Sequence, residues 1–142
     1  MHEIHPELLW LGNALDIREP RSLFDVGITA VIDVAFEEPP AQLPRQLIYC
    51  RFPLNDGGGN DATVLLQTVQ TLVDFLAAGT RTIVVCSAGI SRSPTIAAHG
   101  LAALLAQKPC DVVARIAEAK SLEIQPVFWN DVGTVLSRVR RT

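Results

Sequence analysis

Four short apolar runs alternate with polar, turn-forming segments up to residue 86. Each run is rich in β-branched or aromatic side chains and is bounded by turn formers, a pattern typical of buried strands. The predicted strands are ELLWLG (7–12), ITAVIDVA (28–35), QLIYCRF (46–52) and RTIVVC (81–86). The segment before them contains His2 and His5, and we expect it to be a tail.

Helical patterns fill two of the intervals between these strands. Pro20 lies near the first turn of a short predicted helix, and Gly27 follows its end. A long amphipathic helix is predicted from Asp61 to the stop signal at Gly79, because its apolar residues recur at helical spacing. Those apolar positions are Leu65, Val69, Leu72 and Leu76.

The chain after Cys86 reads as three helices, which Pro109 and Pro126 separate. Strands that alternate with helices, followed by a helical C-terminal half, predict an α/β fold with a mostly parallel central sheet flanked by helices. The length of 142 residues suits a single domain that covers 1–142. Two segments, 37–44 and 54–61, are predicted to be irregular loops.

Charge and hydropathy narrow the function classes. The net charge is −3, and apart from the terminal RVRR the basic residues come singly, so nothing indicates binding to nucleic acid or anionic membranes. The N-terminus lacks the features of a signal peptide, and no apolar run approaches the roughly 18 residues that span a bilayer. We therefore expect a cytoplasmic monomer without a nucleic-acid or membrane partner.

Three cysteines are present, Cys50, Cys86 and Cys110. They show neither CxxC spacing nor a histidine partner pattern, so neither a disulfide framework nor a metal site is indicated, and we expect no cofactor. Cys50 is expected to lie in a strand and Cys110 to begin a helix. Cys86 differs from both, because it ends a predicted strand where a short loop leads into a helix.

The loop between Cys86 and Arg92 is predicted to bind phosphate. Its small residues and its glycine allow successive backbone N–H groups to surround an anion, next to a helix N-terminus. The same donors favour a thiolate at Cys86, and Arg92 would clamp two phosphoryl oxygens with its guanidinium. The pattern indicates phosphoryl transfer to sulfur. The phosphate-binding candidates are Ser87, Ala88, Gly89, Ile90, Ser91 and Arg92.

A leaving alkoxide or phenoxide needs a proton, and the LNDGGGND loop offers Asp56 and Asp61. Asp56 directly follows a predicted strand and precedes three glycines that permit loop motion, whereas Asp61 stands where a helix N-cap is needed. We favour Asp56 as the general acid and Asp61 as the cap. Ser93 is placed to donate a hydrogen bond to the sulfur when the thiophosphate breaks.

The segment VVCSAGISRSPTIAA resembles the signature of the cysteine-based protein tyrosine phosphatases, specifically their dual-specificity branch. The resemblance covers nearly the whole chain, because LLWLGNALDI, VGITAVIDVA, FPLND and EIQPVFWNDV are similar to other family segments. It implies Cys86 as nucleophile, Arg92 as phosphate clamp, Asp56 as acid and Ser93 as hydroxyl assistant. The substrate would be a phosphoprotein or a small phosphomonoester, hydrolysed through a phosphocysteine intermediate.

Two departures from the family pattern modify this expectation. The family normally has histidine immediately before the nucleophile, whereas this chain has Val85, so we expect a less acidic thiol and slower catalysis. The chain also has no evident substrate-recognition insert, which suits a shallow pocket. In addition, the loop SAGIS has no lysine, which weighs against polyanionic inositol lipids as substrates.

Two other functions remain open at this point. A phosphate-binding interaction module that has lost turnover would account for Val85, and a rhodanese-like sulfur transferase also uses a cysteine within a loop of backbone donors. A low-molecular-weight tyrosine phosphatase is disfavoured, because there the acid follows the nucleophile along the chain, whereas Asp56 precedes Cys86.

Several other polar and aromatic residues have structural interpretations. His99 lies on an apolar helix and is expected to pack rather than to catalyse. Asp33 either holds neighbouring loops by hydrogen bonds or lies near the site. The large aromatic residues are expected to be core or helix-packing groups; they are Trp10, Phe128 and Trp129.

Overall fold

One sheet organises residues 1–141, which are the residues that the computed structural model describes. Its strand order is β1-β2-β5-β3-β4, with β1 antiparallel to β2 and all the other pairs parallel. The predicted fold class, a mostly parallel sheet flanked by helices, is confirmed. The strands are β1 (His2–His5), β2 (Leu9–Asn13), β3 (Ala30–Ala35), β4 (Ile48–Leu54) and β5 (Thr82–Cys86).

The helices begin and end close to the predicted positions. Proline occupies the first turn of α1, α4 and α5, where its missing N–H costs no hydrogen bond. Asp61 caps α2 as predicted, because its carboxylate accepts hydrogen bonds from the N–H groups of Thr63 and Val64. The helices are α1 (Pro20–Asp25), α2 (Ala62–Ala77), α3 (Arg92–Leu105), α4 (Pro109–Ala119) and α5 (Pro126–Val135).

The expectation of an N-terminal tail is wrong. Residues His2–His5 form β1, which pairs with β2 through the partners His2 and Leu11, and Glu3 and Trp10. The segment HEIH has no apolar run because β1 is a half-exposed edge strand. Its partner β2 is almost completely buried, so the pairing rather than the composition of the segment determines this strand.

The sheet divides the core into two clusters. Helices α2 to α5 cover one face, where Val84 and Cys86 of the central strand β5 point. On the other face, Ile83 and Val85 pack with Trp10 and with Leu23 of α1. Successive strand residues point to opposite faces, so Val85 and Cys86 belong to different clusters. Val85 is therefore core on the side of the sheet opposite the nucleophile.

The parallel strands β2, β5, β3 and β4 all end at the same edge of the sheet. In the parallel register Asn13 lies beside Cys86, and Ala35 lies beside Leu54. The segments that follow these strands are therefore brought together, which is the usual place for a site in an open α/β sheet.

Two further predictions concern the chain as a whole. The single domain over 1–142 stays a prediction, and its last residue, Thr142, lies outside the described residues. Within residues 1–141, no helix combines the length and the apolar character that crossing a membrane requires.

Candidate active site

The loop of residues 87–91, the cysteine loop, curls around the sulfur of Cys86 at the end of β5. The backbone N–H of Gly89 donates to Cys86 Sγ at 3.3 Å. Gly89 has φ +76°, and a Cβ there would lie 3.0 Å from the carbonyl oxygen of Gly12. Glycine is needed at this position for both reasons, because it alone adopts this conformation without strain and tolerates the close approach. The loop therefore directs a backbone donor at the sulfur, as the sequence predicts.

Arg92 begins α3 beside this loop, and only 5% of the residue is exposed. Its Nη1 and Nη2 donate to Oε1 and Oε2 of Glu37 at 2.6 Å each, and Nη1 also donates to the carbonyl oxygen of Leu54 at 2.8 Å. Three of the five guanidinium N–H groups are therefore used. The two that remain, on Nε and Nη2, share one edge of the guanidinium, which is an edge suited to two phosphoryl oxygens.

The pair between Arg92 and Glu37 keeps both groups charged. Burial by itself would lower the pKa of Arg92, but the hydrogen bond to Glu37 and the nearby charges of Cys86, Glu37 and Asp56 more than offset it, so the pKa is raised. The hydrogen bond from Arg92 is the main reason that the pKa of Glu37 is lowered. The arginine side of the pair is buried, whereas the Glu37 side chain is 52% exposed.

Sequence analysis did not identify Glu37, which it placed in an irregular loop. A signal was present, because Glu37 and Glu38 come two and three residues after the end of a buried strand, and parallel strands end at one edge of a sheet. Glu38 also reaches the cysteine loop, where its Oε2 accepts a hydrogen bond from Ser87 Oγ at 2.7 Å. Two neighbouring acidic residues therefore contact both ends of the segment between Cys86 and α3.

A partly buried hydrogen-bond network holds the loop that carries Glu37. Asp33 Oδ2 accepts from the hydroxyl of Tyr49 at 2.6 Å, and that hydroxyl accepts from the N–H of Ala41 at 3.0 Å. From β4, Arg51 Nη2 also donates to carbonyl oxygens of the same loop. Asp33 therefore fastens the loop, which is the first of the two roles that the sequence left open.

Asp56 lies above the cysteine loop. Its Oδ1 accepts from Ser91 Oγ at 2.7 Å, and Ser91 Oγ accepts in turn from the N–H of Gln125 at 2.9 Å. Asp56, Cys86 and Arg92 all line one cavity of about 240 Å³. Asp61 is directed to the N-terminus of α2 instead, where it is the predicted cap, whereas the role of Asp56 as general acid stays a prediction.

The glycine-rich turn that follows Asp56 is held by one side chain. Asn60 Oδ1 accepts from the N–H of Asn55, and Asn60 Nδ2 donates to the carbonyl oxygen of Asn55, both at 2.9 Å. Asn60 Nδ2 also donates to the carbonyl oxygen of Gly57 at 3.2 Å. These bonds close the turn and restrain the position of Asp56.

Ser93 lies on the first turn of α3, fully buried beside the sulfur. The Cys86 thiol donates to Ser93 Oγ at 3.2 Å, and the Ser93 hydroxyl donates to the carbonyl oxygen of Gly12 at 3.5 Å. If Cys86 is ionised, sulfur becomes an acceptor, and the Ser93 hydroxyl is within reach to donate to it. The structure thus places Ser93 beside the sulfur, and its role as hydroxyl assistant stays a prediction.

The connection between α4 and α5 supports the cysteine loop from outside, a feature that sequence analysis missed. Lys120 Nζ donates to the carbonyl oxygen of Gly89 at 2.5 Å. The N–H of Glu123 donates to the carbonyl oxygen of Ile90 at 3.0 Å. Together with the bond from the N–H of Gln125, these contacts brace three successive residues of the loop.

The remaining cysteines and His99 have structural environments. Cys50 is half-buried in β4, and burial raises its pKa, while Cys110 is exposed at the start of α4. His99 is buried; its Nδ1 lies 2.8 Å from the carbonyl oxygen of Thr95, and its ring packs on that of Trp129 with centroids 4.3 Å apart. Burial lowers the pKa of His99, against the effect of the hydrogen bond to Thr95.

Comparison with known proteins shows similarity in structure. No protein-family model and no curated protein sequence matches the chain. The fold matches human DUSP28 with a TM-score of 0.84 and 22% identity, over 97% of this chain and 96% of that one. It also matches the human tyrosine phosphatase-like serine/threonine/tyrosine-interacting protein, with a TM-score of 0.83 and 21% identity. That match covers 97% of this chain and 96% of the other chain.

A third similar structure is a mouse putative dual specificity phosphatase complexed with zinc tungstate. Its TM-score is 0.82 and its identity 22%, over 96% of this chain and 86% of that one. At these identities the similarity establishes the fold. The chain therefore has the fold of the small dual-specificity phosphatases.

Proposed function

We propose that this chain, which has the dual-specificity phosphatase fold, is a cysteine-dependent phosphatase that hydrolyses phosphomonoesters through a phosphocysteine intermediate. The observation that carries the proposal is one cavity lined by Cys86, Arg92, Asp56 and four of the five residues of the cysteine loop. A nucleophile, an anion clamp and a proton donor are the groups that phosphoryl transfer to sulfur requires.

In the first step, the Cys86 thiolate attacks phosphorus, so that an S–P bond forms while the bond from phosphorus to the leaving oxygen breaks. The backbone N–H groups of the cysteine loop and the free edge of Arg92 bind the other phosphoryl oxygens, where charge must be stabilised. Protonated Asp56 gives its proton to the leaving oxygen. The two bonds from Arg92 to Glu37 hold the guanidinium plane in a fixed orientation during this step.

In the second step, water attacks the phosphocysteine. The Asp56 carboxylate takes a proton from that water, the S–P bond breaks and inorganic phosphate leaves. The sulfur departs as a thiolate, and the buried hydroxyl of Ser93 donates to it. Asp56 thus acts as acid and then as base, and its bond with Ser91 holds it over the loop for both steps.

The proposal includes the expected context of the reaction. The substrates are phosphoproteins or small phosphomonoesters, and the enzyme acts as a cytoplasmic, single-domain monomer without a cofactor and without nucleic-acid or membrane partners. The acidic residues Glu37 and Glu38 at the cysteine loop support substrates with one phosphate rather than polyanionic ones, because like charges repel.

A second candidate is a phosphate-binding module without turnover. Val85 favours it, since this apolar side chain packs on the opposite face of the sheet and offers Cys86 neither a charge nor a hydrogen bond. The printed name of one similar structure, a phosphatase-like interacting protein, is consistent with such a role.

The test is the pH dependence of aryl phosphate hydrolysis without metal and under reducing conditions. We expect Cys86→Ser to abolish turnover, and Asp56→Ala to reduce it by about 10²- to 10⁴-fold with loss of the basic limb of the profile. Asp61→Ala is the matched control, because it removes a carboxylate from the same loop and costs only about 1 kcal/mol of capping stability.

Two results would contradict the phosphatase proposal. If Cys86→Ser retains the activity, the nucleophile is wrong. If the wild type shows no turnover but retains vanadate or a phosphopeptide, the second candidate is supported.

A further inference from the structure

Lys120 contacts the cysteine loop at the residue that also contacts the sulfur. Its Nζ donates to the carbonyl oxygen of Gly89 at 2.5 Å, and the N–H of Gly89 donates to Cys86 Sγ at 3.3 Å. Lys120 is the residue that follows α4, and it is half-buried. One glycine therefore connects a lysine ammonium to the nucleophile through its two backbone groups.

Gly89 needs an external support of this kind. Glycine has more conformational freedom than any other residue, and at φ +76° no side chain of its own holds the backbone. Its neighbours Ile90 and Ser91 receive backbone N–H donors from the connection between α4 and α5. Among the three contacts described here, only the one at Gly89 has a charged donor, the Lys120 ammonium. The support at this position is therefore electrostatic as well as steric.

The charges near Lys120 also support an interaction between its ammonium group and the sulfur of Cys86. Burial lowers the pKa of Lys120, while the negative charges of Cys86 and Asp16 oppose that change. Asp16 already accepts from the N–H of Asn13 at 2.8 Å and lies 3.5 Å from the amino group of Met1. Because the interaction of two charges is reciprocal, an ammonium that is stabilised by an ionised sulfur also stabilises that sulfur.

We propose that Lys120 is a positioning residue that orients Gly89 toward the sulfur and supplies positive charge that stabilises the Cys86 thiolate. This inference concerns the site of the proposed function and rests on it. Val85 cannot supply such charge, because it is apolar and points to the opposite face of the sheet. Arg92 is held by Glu37, which neutralises part of its charge, so a second cation near the sulfur matters more.

Site-resolved alkylation tests the inference without any need for turnover. Iodoacetamide is allowed to react with Cys86 over a range of pH, and mass spectrometry distinguishes this cysteine from Cys50 and Cys110. The variants are Lys120→Gln, which loses the charge but keeps a donor, Lys120→Met, which loses both, and Lys120→Arg, which keeps the charge.

The chain offers a matched control in Lys108, its only other lysine. Lys108 is the exposed residue that precedes α4, whereas Lys120 follows the same helix, so Lys108→Gln makes the same change of charge at the other end. We expect Lys108→Gln to leave alkylation of Cys86 unchanged.

At about pH 6 we expect Lys120→Gln and Lys120→Met to slow alkylation of Cys86 by about tenfold, and Lys120→Arg to stay near the wild-type rate. Above about pH 9 the rates should converge, because an ordinary thiol is ionised there without help from a neighbouring charge. A purely structural effect would slow alkylation by the same factor at every pH.

Unchanged alkylation in all the Lys120 variants would overturn the inference, and so would a slowing that does not depend on pH or that Lys108→Gln reproduces. Turnover of aryl phosphate by the wild type, measured in parallel, separates the two proposals. Turnover with Lys120-independent alkylation contradicts this inference alone, whereas Lys120-dependent alkylation without turnover contradicts the phosphatase proposal alone.

Discussion

Replacing Glu37 with glutamine asks whether this carboxylate orients Arg92 for phosphate or competes with phosphate for it. Glutamine keeps the size of the side chain and removes the charge. Its amide oxygen can accept from one guanidinium N–H, but its NH2 group then faces another donor. The guanidinium keeps its bond to the carbonyl oxygen of Leu54 and loses one of the two bonds that fix its plane.

The size of the effect follows from the bonds and their exposure. A hydrogen bond to a charged group is worth about 1.5 to 3 kcal/mol. Since the Glu37 side chain is 52% exposed, water replaces part of the interaction, and we take about 1.5 to 2 kcal/mol as the loss. If the orientation of Arg92 is used in the transition state, kcat/KM falls by about 10- to 30-fold.

The assay compares kcat/KM for an aryl phosphate, and inhibition by inorganic phosphate, in the wild type and in Glu37→Gln. Glu38→Gln is the matched control, because it makes the same change at the next residue, which bonds to Ser87 and Arg18 instead of Arg92. We expect the control to change kcat/KM by less than Glu37→Gln does, because both bonds from Arg92 to Glu37 stay in place.

The pH dependence has a defined sign. The pKa of Glu37 is lowered from 4.5 in the folded protein, so its contribution is complete above that value and is lost only as pH falls through the lowered one. The ratio of wild-type to Glu37→Gln activity should therefore stay constant from about pH 7 to about pH 5. Faster turnover or tighter phosphate binding in Glu37→Gln would refute the reasoning, because it would identify Glu37 as a competitor.

Two further predictions concern stability and titration. Burial and a hydrogen bond to the buried carboxylate of Asp33 raise the pKa of Tyr49, the only tyrosine, to about 12. The contribution of this hydroxyl to stability should therefore be complete below pH 10 and lost toward pH 12. A tyrosinate absorbance midpoint near pH 10 in the folded protein would contradict the raised pKa. In α3, Gly100→Ala places a Cβ 2.6 Å from Cδ2 of the fully buried Leu72. Overpacking costs about 1 to 3 kcal/mol and should exceed the helix-propensity gain of about 1 kcal/mol, so we expect this variant to be less stable than the wild type. Gly133→Ala in α5 meets one side-chain atom, at 3.8 Å, and should stabilise; denaturant unfolding that ranks the two variants in the opposite order would exclude this explanation.

Local patterns in the sequence predicted four strands, five helices and the chemistry of the cysteine loop. These features depend on residues close together in the chain: the period of apolar positions, prolines at helix starts, an aspartate at an N-cap, and small residues between Cys86 and Arg92. Capping also separated Asp61 from Asp56, because the helix that needs a cap begins directly after Asp61.

The strand β1 shows the limit of such patterns. Its residues have no apolar alternation, because an edge strand with exposed faces does not need it. Pairing with β2 stabilises β1, and that pairing depends on which backbone edge the folded sheet leaves free.

Glu37 and Lys120 belong to the site only through the tertiary structure. No spacing rule connects either residue to Cys86, since their contacts arise where distant parts of the chain return to one edge of the sheet. Glu37 follows β3 beside β5, and Lys120 lies on the connection between α4 and α5. The sequence alone determined which residues are candidates for the chemistry, because reactivity is a property of residue type and local backbone. Which charges surround them was decided by the strand order and helix packing, because electrostatic contacts depend on distance in space rather than along the chain.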